Sequence, residues 1–409
     1  MVYLDHAATT PLDPRVLRRM EPFFGEIYGN PNSIHSAGRQ AREALEDARA
    51  LVASLLGATP NEIVFTSGGS ESNNLCVRGV ASARRGRGRH IVVSAIEHPS
   101  VMATCEALQR EGFDLTQLEV DRDGIVHPEA VAAAIRSDTI LVSVMHSNNE
   151  IGTIQPIEAI ARIARDRRVY CHTDAVQSVG KLPVHVGCLG ADLLPVSPAP
   201  DTLSSTSVQA VGLGVDLMSF TAHKFYGPKG VGALYIRSGT RTHAQITGGG
   251  QEKNRRSGTE NVAGIVGLAE ALRLAIELVP EASAAQIAMR DRLIDQIPIR
   301  IPDAMLTGHP TLRLPNHASF CFRGVEGEAL LLSLDKEGFA ASAGSACSAG
   351  SLDPPYVLQV LGVPRDYARG SLRLSVGRTT TMADIERLLN VLPVVVNRLR
   401  SIGLHAARG

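Results

Sequence analysis

The sequence predicts an α/β protein, with a mostly parallel, doubly wound sheet in a large domain and a smaller α+β domain beside it. Two observations carry this reading. From about residue 60, short β-branched runs alternate with longer amphipathic ones, and strands alternating with helices are joined by crossovers that favour parallel pairing. After about residue 280 the texture changes, and a few longer elements replace the alternation.

The runs E-I-V-F-T (62–66), H-I-V-V-S-A (90–95), D-T-I-L-V-S-V-M (138–145), R-V-Y-C-H-T (168–173), V-D-L-M-S-F (215–220) and V-G-A-L-Y-I (231–236) read as buried strands, being short, apolar and β-branched. Segments 70–82, 99–111, 128–136 and 156–167 read as the helices between them. Beyond 280 come a helix (283–297), a strand (317–322), the small-residue stretch A-A-S-A-G-S-A-C-S-A-G-S (340–351), a strand (371–376) and a closing helix (382–400). The large domain is therefore expected at 15–280, and the small one at 1–14 with 281–409. L-G-A-D-L-L-P-V-S (189–197) nearly repeats as L-G-V-D-L-M-S-F-T (213–221), with a Pro- and Ser-rich span between. The strand is assigned to the second copy, which leads into His223 and Lys224. The extra segment reads as an insertion or flap. It enters that strand from its amino end, so it is expected at the surface, away from the ligand crevice.

With 409 residues, 44% of them apolar and 20% charged, the chain is long enough for one large core and a smaller one. Lys+Arg and Asp+Glu both number 41, so no direct nucleic-acid or membrane partner is expected. Arg84, Arg85, Arg87 and Arg89, interleaved with Gly86 and Gly88, read as a solvated loop. The chain starts M-V-Y-L-D-H without a charged run leading into an apolar one, and it has no unbroken apolar stretch of about 18 residues, which predicts a cytoplasmic location. The six cysteines are scattered, with no C-x-x-C pair, and are expected to be free thiols. Cys171 and Cys321 fall in strands and Cys76 and Cys105 on helices, where core packing is expected; Cys188 beside the extra segment stays open.

Ligands of such sheets sit at the carboxyl ends of the strands. There the sequence places T-S-G-G-S-E-S-N-N, a glycine turn opening a helix with Gly69 and Ser70 at its start, which is a ready phosphate cradle. Successive strands deliver His98, then Asn149, then Asp174 and Gln177, then Thr221, His223 and Lys224 to the same edge. The deciding pair is Lys224 with Asp174. A lysine amine can bond covalently to an aldehyde cofactor, and an acid opposite can keep a pyridine nitrogen protonated, so the ring becomes an electron sink. With an imidazole for the ring face and an amide for its 3-oxygen, the set describes a pyridoxal phosphate site.

The motifs Y-L-D-H-A-A-T-T-P, F-G-N-P-N-S-I-H-S-A-G, T-S-G-G-S-E-S-N-N, E-H-P, N-N-E-I-G-T-I-Q-P-I, H-T-D-A-V-Q-S-V-G-K-L-P, H-K-F-Y-G-P-K-G-V-G-A-L-Y, G-G-G-Q-E, R-S-G-T-E-N, G-S-A-C-S and S-L-R-L-S-V-G-R occur in this order from Tyr3 to about Arg400. By them the chain resembles the cysteine desulfurases of the NifS/IscS type, class V pyridoxal-phosphate enzymes. The resemblance implies the type I pyridoxal-phosphate transferase fold, with a mostly parallel sheet of the seven-stranded type. It implies Lys224 as the lysine that bonds the cofactor, Asp174 at the pyridine nitrogen, and His98 stacked on the ring as an acid/base. Asn149 and Gln177 would reach the 3-oxygen, and Gly69, Ser70, Thr221 and His223 the phosphate. Thr259 would reach the phosphate of a neighbouring subunit, so a homodimer with shared sites is implied. Arg373 would bind the carboxylate of L-cysteine, with Asn30 close by and Asn149 also facing the substrate. Cys347 would accept the sulfur and pass it to an iron–sulfur scaffold or another acceptor protein; no resident metal is implied, and transient ligation of a 2Fe–2S cluster by Cys347 with a scaffold partner is left open. Ser70 and Thr221 stand where the family more often has Thr and Ser, which keeps the hydroxyl.

The expected reaction turns L-cysteine into L-alanine and a persulfide on Cys347. An ordinary thiol is only a few per cent ionised near neutrality, so a positive neighbour or proton removal by His98 would assist it. The Gly and Ala residues around Cys347 impose few steric limits and suit a tether that must reach both substrate and acceptor. Two alternatives stand beside this reading: another class V enzyme, such as a selenocysteine lyase or an aminotransferase, and a non-catalytic sulfur carrier or scaffold. An aminotransferase needs no loop thiol, and a carrier would be colourless.

Overall fold

The computed structural model describes residues 1–187, 211–344 and 353–406. The main sheet has seven strands in the order Ile63–Thr66, Gly232–Ile236, Leu217–Thr221, Tyr170–Asp174, Thr139–Ser143, His90–Ser94 and Asp114–Leu118. Gly232–Ile236 runs antiparallel to both of its neighbours, and the remaining pairings are parallel. The strands are apolar throughout because both faces are covered. Along each strand, successive side chains enter opposite cores: Phe65, Val92, Val142 and Met218 lie in one cluster, and Val64, Ile91, Leu141 and Leu217 in the other. Helix Ile157–Asp166 shows how the layers join, since Ile157, Ile160, Ala161 and Ala164 form a single buried stripe.

The expected α/β architecture is present, with two corrections of detail. Strand Asp114–Leu118 was not foreseen; it lies at the sheet edge, and its D-L-T-Q-L run is half exposed, so it lacks the continuous apolar signature. The helix expected at 283–297 is the second half of one helix, Val262–Arg300. The first half of that helix is buried on nearly every face from Ala263 to Ala275, which erases the 3.6-residue period that would reveal it. Of the near-repeated segments, the second copy supplies strand Leu217–Thr221 as expected. The first copy and nearly all of the extra segment lie outside the described residues; Val211–Gly212 pairs with Val184–His185.

A second sheet, Ala304–Leu306, His317–Phe322 and Ser371–Ser375, is antiparallel. It shares a core with the end of the long helix and with helices Gly327–Lys336 and Met382–Ala406, through Leu293, Phe320, Phe322, Leu330 and Leu388. The amino terminus joins this unit: Val2–Tyr3 pairs with Phe339–Ala340, Leu4 enters the core, and Asp5 bridges to Ser375. That pairing carries His6, Ala7 and Ala8 toward Lys224. Among the described residues, no helix is long and apolar enough to cross a membrane.

The motif G-G-G-Q-E anchors a loop by electrostatics. Glu252 is buried with a left-handed backbone (φ +47°), and its carboxylate accepts from both terminal nitrogens of buried Arg49, each at 2.8 Å, and from Phe65 N at 2.9 Å. Removing one partner of a buried pair strands the other charge, at a cost of about 3–5 kcal/mol. Glu252→Gln should therefore lower stability by that order in chemical denaturation followed by circular dichroism; a loss under about 1 kcal/mol would count against the pair.

Candidate active site

The parallel strands end at Thr66, Ser94, Ser143, Asp174 and Thr221, which lines their carboxyl termini along one edge. From Thr66 the chain turns at Gly68 into helix Gly69–Arg84, whose first N–H groups have no partner within the helix. A Cβ at Gly69 would fall 2.8 Å from Val176 Cγ2 and 3.8 Å from Thr221 Cγ2, so only glycine keeps this approach open. Ser70 is exposed in the first turn. Thr221 Oγ1 donates to Val231 O at 3.0 Å. His223 Nδ1 lies 3.1 Å from Thr9 Oγ1, and burial, together with Lys224, Lys229 and Lys181, pushes its pKa down to about 4.

Lys224 ends a short turn after strand Leu217–Thr221, and its Nζ donates to Ala7 O at 2.7 Å and Ala8 O at 2.6 Å. Asp174, the last residue of its strand and 4% exposed, accepts from Asn73 Nδ2 at 2.7 Å and from Val176 N at 3.0 Å. Asn73 Nδ2 also donates to Ser100 Oγ at 2.9 Å, and Ser100 Oγ lies 2.8 Å from His98 Nδ1. Ser100 N donates to the same Nδ1 at 3.1 Å, which makes Nδ1 the acceptor and leaves the hydrogen of the neutral ring on Nε2. Burial lowers the His98 pKa, while Asp174 pulls it up and Lys224 pushes it further down. His98, Asp174 and Lys224 thus act on one another within a single site.

Gln177 Nε2 donates to Ala7 O at 2.9 Å, and Gln177 Oε1 accepts from Lys181 Nζ at 2.8 Å. Asn149 is buried, and its carbonyl accepts from Arg373 Nη1 at 2.9 Å. Arg373, 2% exposed, also donates from Nη2 to Asp5 Oδ1 at 2.8 Å, while its buried Nε has no hydrogen-bond partner among the described residues. Beside it, burial raises the Glu150 pKa to about 7 against the pull of Arg373. This is a cation with unused donor capacity held below the surface, suited to a carboxylate.

Asn30 and Thr259 are both exposed and stand apart from the hydrogen-bonded set around Lys224. Asn30 Oδ1 accepts from Asn32 N, and Asn32 Nδ2 reaches Glu260 Oε2 at 3.2 Å, so the loops of Asn30 and Thr259 adjoin each other. Cys347 and Cys188 lie outside the described residues. Cys76, Cys105, Cys171 and Cys321 are buried and free, as expected. Burial raises all four thiol pKa values, to about 12 for Cys105 and Cys321, so none supplies a thiolate near neutrality.

Asn73, Ser100, Asp5 and Lys181 were not singled out from the sequence. The one available signal was position: Asn73 stands four residues after Gly69, on the helix face that looks toward the same edge.

These residues fit pyridoxal phosphate. The glycine cradle at a helix start suits a phosphate, the buried Asp174 carboxylate suits a protonated ring nitrogen, and the Lys224 amine suits an aldehyde. A mostly parallel seven-stranded sheet with this set along one edge defines a pyridoxal-phosphate-dependent enzyme. The chain belongs to the class-V aminotransferase family, whose profile matches residues 2–198 and 201–388. It is 48% identical over 401 residues to the cysteine desulfurase IscS of Dictyoglomus turgidum, covering 98% of this chain and 96% of that one. It is 46% identical over 401 residues to the enzyme of the same name from Methanosarcina thermophila, covering 98% and 93%. Among solved structures it is similar to a NifS-like protein (TM-score 0.86, 36% identity, 97% and 100% covered) and to SspA in complex with cysteine (TM-score 0.77, 34% identity, 92% and 99% covered).

Proposed function

We infer that this chain is a pyridoxal-phosphate-dependent cysteine desulfurase, which takes sulfur from L-cysteine, leaves L-alanine and supplies that sulfur for iron–sulfur cluster assembly and other thiolation. The observation that carries the reading is the meeting of Lys224, Asp174 and neutral His98 at the strand edge, with buried Arg373 tied to the Asn149 carbonyl. When bound, the cofactor supplies an aldehyde for the substrate amine and a ring that draws electrons from the substrate's α-carbon.

Gly69, Ser70, Thr221 and His223 would hold the phosphate, Asp174 would keep a proton on the ring nitrogen, and Asn149 and Gln177 would bond the 3-oxygen. Lys224 Nζ removes the substrate α-proton. His98 Nδ1 is pinned by Ser100, so Nε2 is the nitrogen that exchanges protons with a reacting group. Arg373 fixes the substrate carboxylate, with Asn30 assigned to the same substrate. Cys347 attacks the substrate sulfur as a thiolate: a Sγ–S bond forms, the Cβ–S bond breaks with its electron pair staying on carbon, and proton delivery to that carbon, with return of a proton to the α-carbon, completes alanine. The persulfide then passes to an acceptor protein.

The same proposal includes a homodimer in which Thr259 reaches the neighbour's phosphate. It is supported by Phe24, Tyr28 and Ile34, which are 67%, 77% and 88% exposed around Asn30 on the face shared with Thr259. A cytoplasmic location fits the four free thiols. The division into 15–280 against 1–14 with 281–409 rests on separate apolar clusters, although helix Val262–Arg300 runs through both parts.

Incubating the purified protein with L-cysteine and a thiol reductant tests the function. Alanine and sulfide in equal amounts are expected; alanine without sulfide would sink the reading. Arg373→Ala should raise KM for L-cysteine by about tenfold to a hundredfold, the worth of a charge-assisted hydrogen bond, with a smaller change in kcat. Steady-state kinetics decides, and an unchanged KM would remove Arg373 from the substrate site.

A further inference from the structure

Lys181 belongs to the G-K-L-P end of the motif that supplies Asp174 and Gln177, and no step above uses it. Its Nζ donates to Gln177 Oε1 at 2.8 Å, and the other end of that amide donates to Ala7 O at 2.9 Å. Ala7 O in turn accepts from Lys224 Nζ at 2.7 Å. A connected path therefore runs from Lys181 through Gln177 and the Ala7 carbonyl to the catalytic amine. A backbone carbonyl can only accept and an ammonium can only donate, so the two neighbours of Gln177 permit one orientation of its amide. We propose that Lys181 is a positioning residue, which locks the Gln177 amide with its NH2 toward Ala7 and a second N–H free for the cofactor's 3-oxygen. This rests on the pyridoxal phosphate reading above.

Lys181 is half-buried where it meets the Gln177 amide. Lys181 lines a partly open pocket with His6, Lys224, Asn316 and Arg378. Burial, Lys224 and Arg373 together lower the Lys181 pKa to about 7. The other titratable groups in its field are His6, His223 and His317, all with pKa values lowered by burial. A neutral lysine amine still donates, so the contact with Gln177 Oε1 survives on both sides of pH 7.

Without Lys181 the amide can turn and present its oxygen to an oxygen, which repels rather than binds. In K181M, retention of pyridoxal phosphate on dialysis should weaken by about fivefold, the worth of one hydrogen bond. The pH midpoint of the bound cofactor's visible absorbance should also move up by about half a unit, because an oxygen anion no longer bonded by the amide favours the protonated form. K181Q, whose side-chain N–H can still donate to Gln177 Oε1, should recover most of both effects. Melting curves establish folding, and K181A replaces K181M if the latter melts early. Unchanged retention and midpoint in a folded K181M, or equal defects in K181M and K181Q, would overturn the proposal. Failure of the wild-type protein to take up pyridoxal phosphate would instead overturn the functional reading beneath it.

Discussion

Lys224→Ala is expected to remove L-alanine formation by at least about 10³-fold, because one atom, Nζ, both bonds the cofactor and moves the α-proton. The substitution takes this donor from Ala7 O, which keeps the Gln177 amide, and from Ala8 O, where the loss costs about 1–3 kcal/mol if the carbonyl stays dry, so the variant should fold and melt somewhat earlier. Its absorbance should lack the band that the wild-type protein gains from a covalently held cofactor. Alanine assayed by chromatography after L-cysteine addition reads the effect. Residual turnover within tenfold of wild type would mean that another base takes the proton, and His98 would then be the group to replace.

Cys347→Ser is the second large effect. A serine hydroxyl is neither ionised near neutrality nor able to hold a second sulfur, so alanine and sulfide should both fall by at least about 10³-fold. The cofactor band and the affinity for L-cysteine should persist, since Arg373, Asp174 and Lys224 are untouched. The four buried thiols make no substitute, for burial keeps them protonated. Full turnover in the serine variant would favour an aminotransferase over a desulfurase.

The site was legible where chemistry sits at the end of a strand. The alternation of apolar runs with helices located the carboxyl edge, where Asp174 and Thr221 end their strands and Lys224 follows shortly after, so their grouping follows from a parallel sheet. The supporting contacts were not legible, because they join residues far apart in sequence. Asn73 meets Asp174 across 101 positions and Arg373 meets Asp5 across 368, and no local pattern encodes such pairings. The edge strand Asp114–Leu118 and the first half of helix Val262–Arg300 escaped for opposite reasons, one being too polar for a buried strand and the other too apolar to show a period. Asn30 was expected near the substrate carboxylate and Thr259 at the neighbouring subunit's phosphate; the two adjoin each other on an exposed face, an arrangement that a second subunit would complete.

The sulfur itself gives the most direct test. Wild-type protein is mixed with L-cysteine in the absence of any thiol, quenched after one turnover, and the peptide carrying Cys347 is weighed by mass spectrometry beside the alanine released. The account predicts one added sulfur atom on Cys347, on no other cysteine, in step with alanine. Alanine released while the Cys347 peptide keeps its original mass would contradict it.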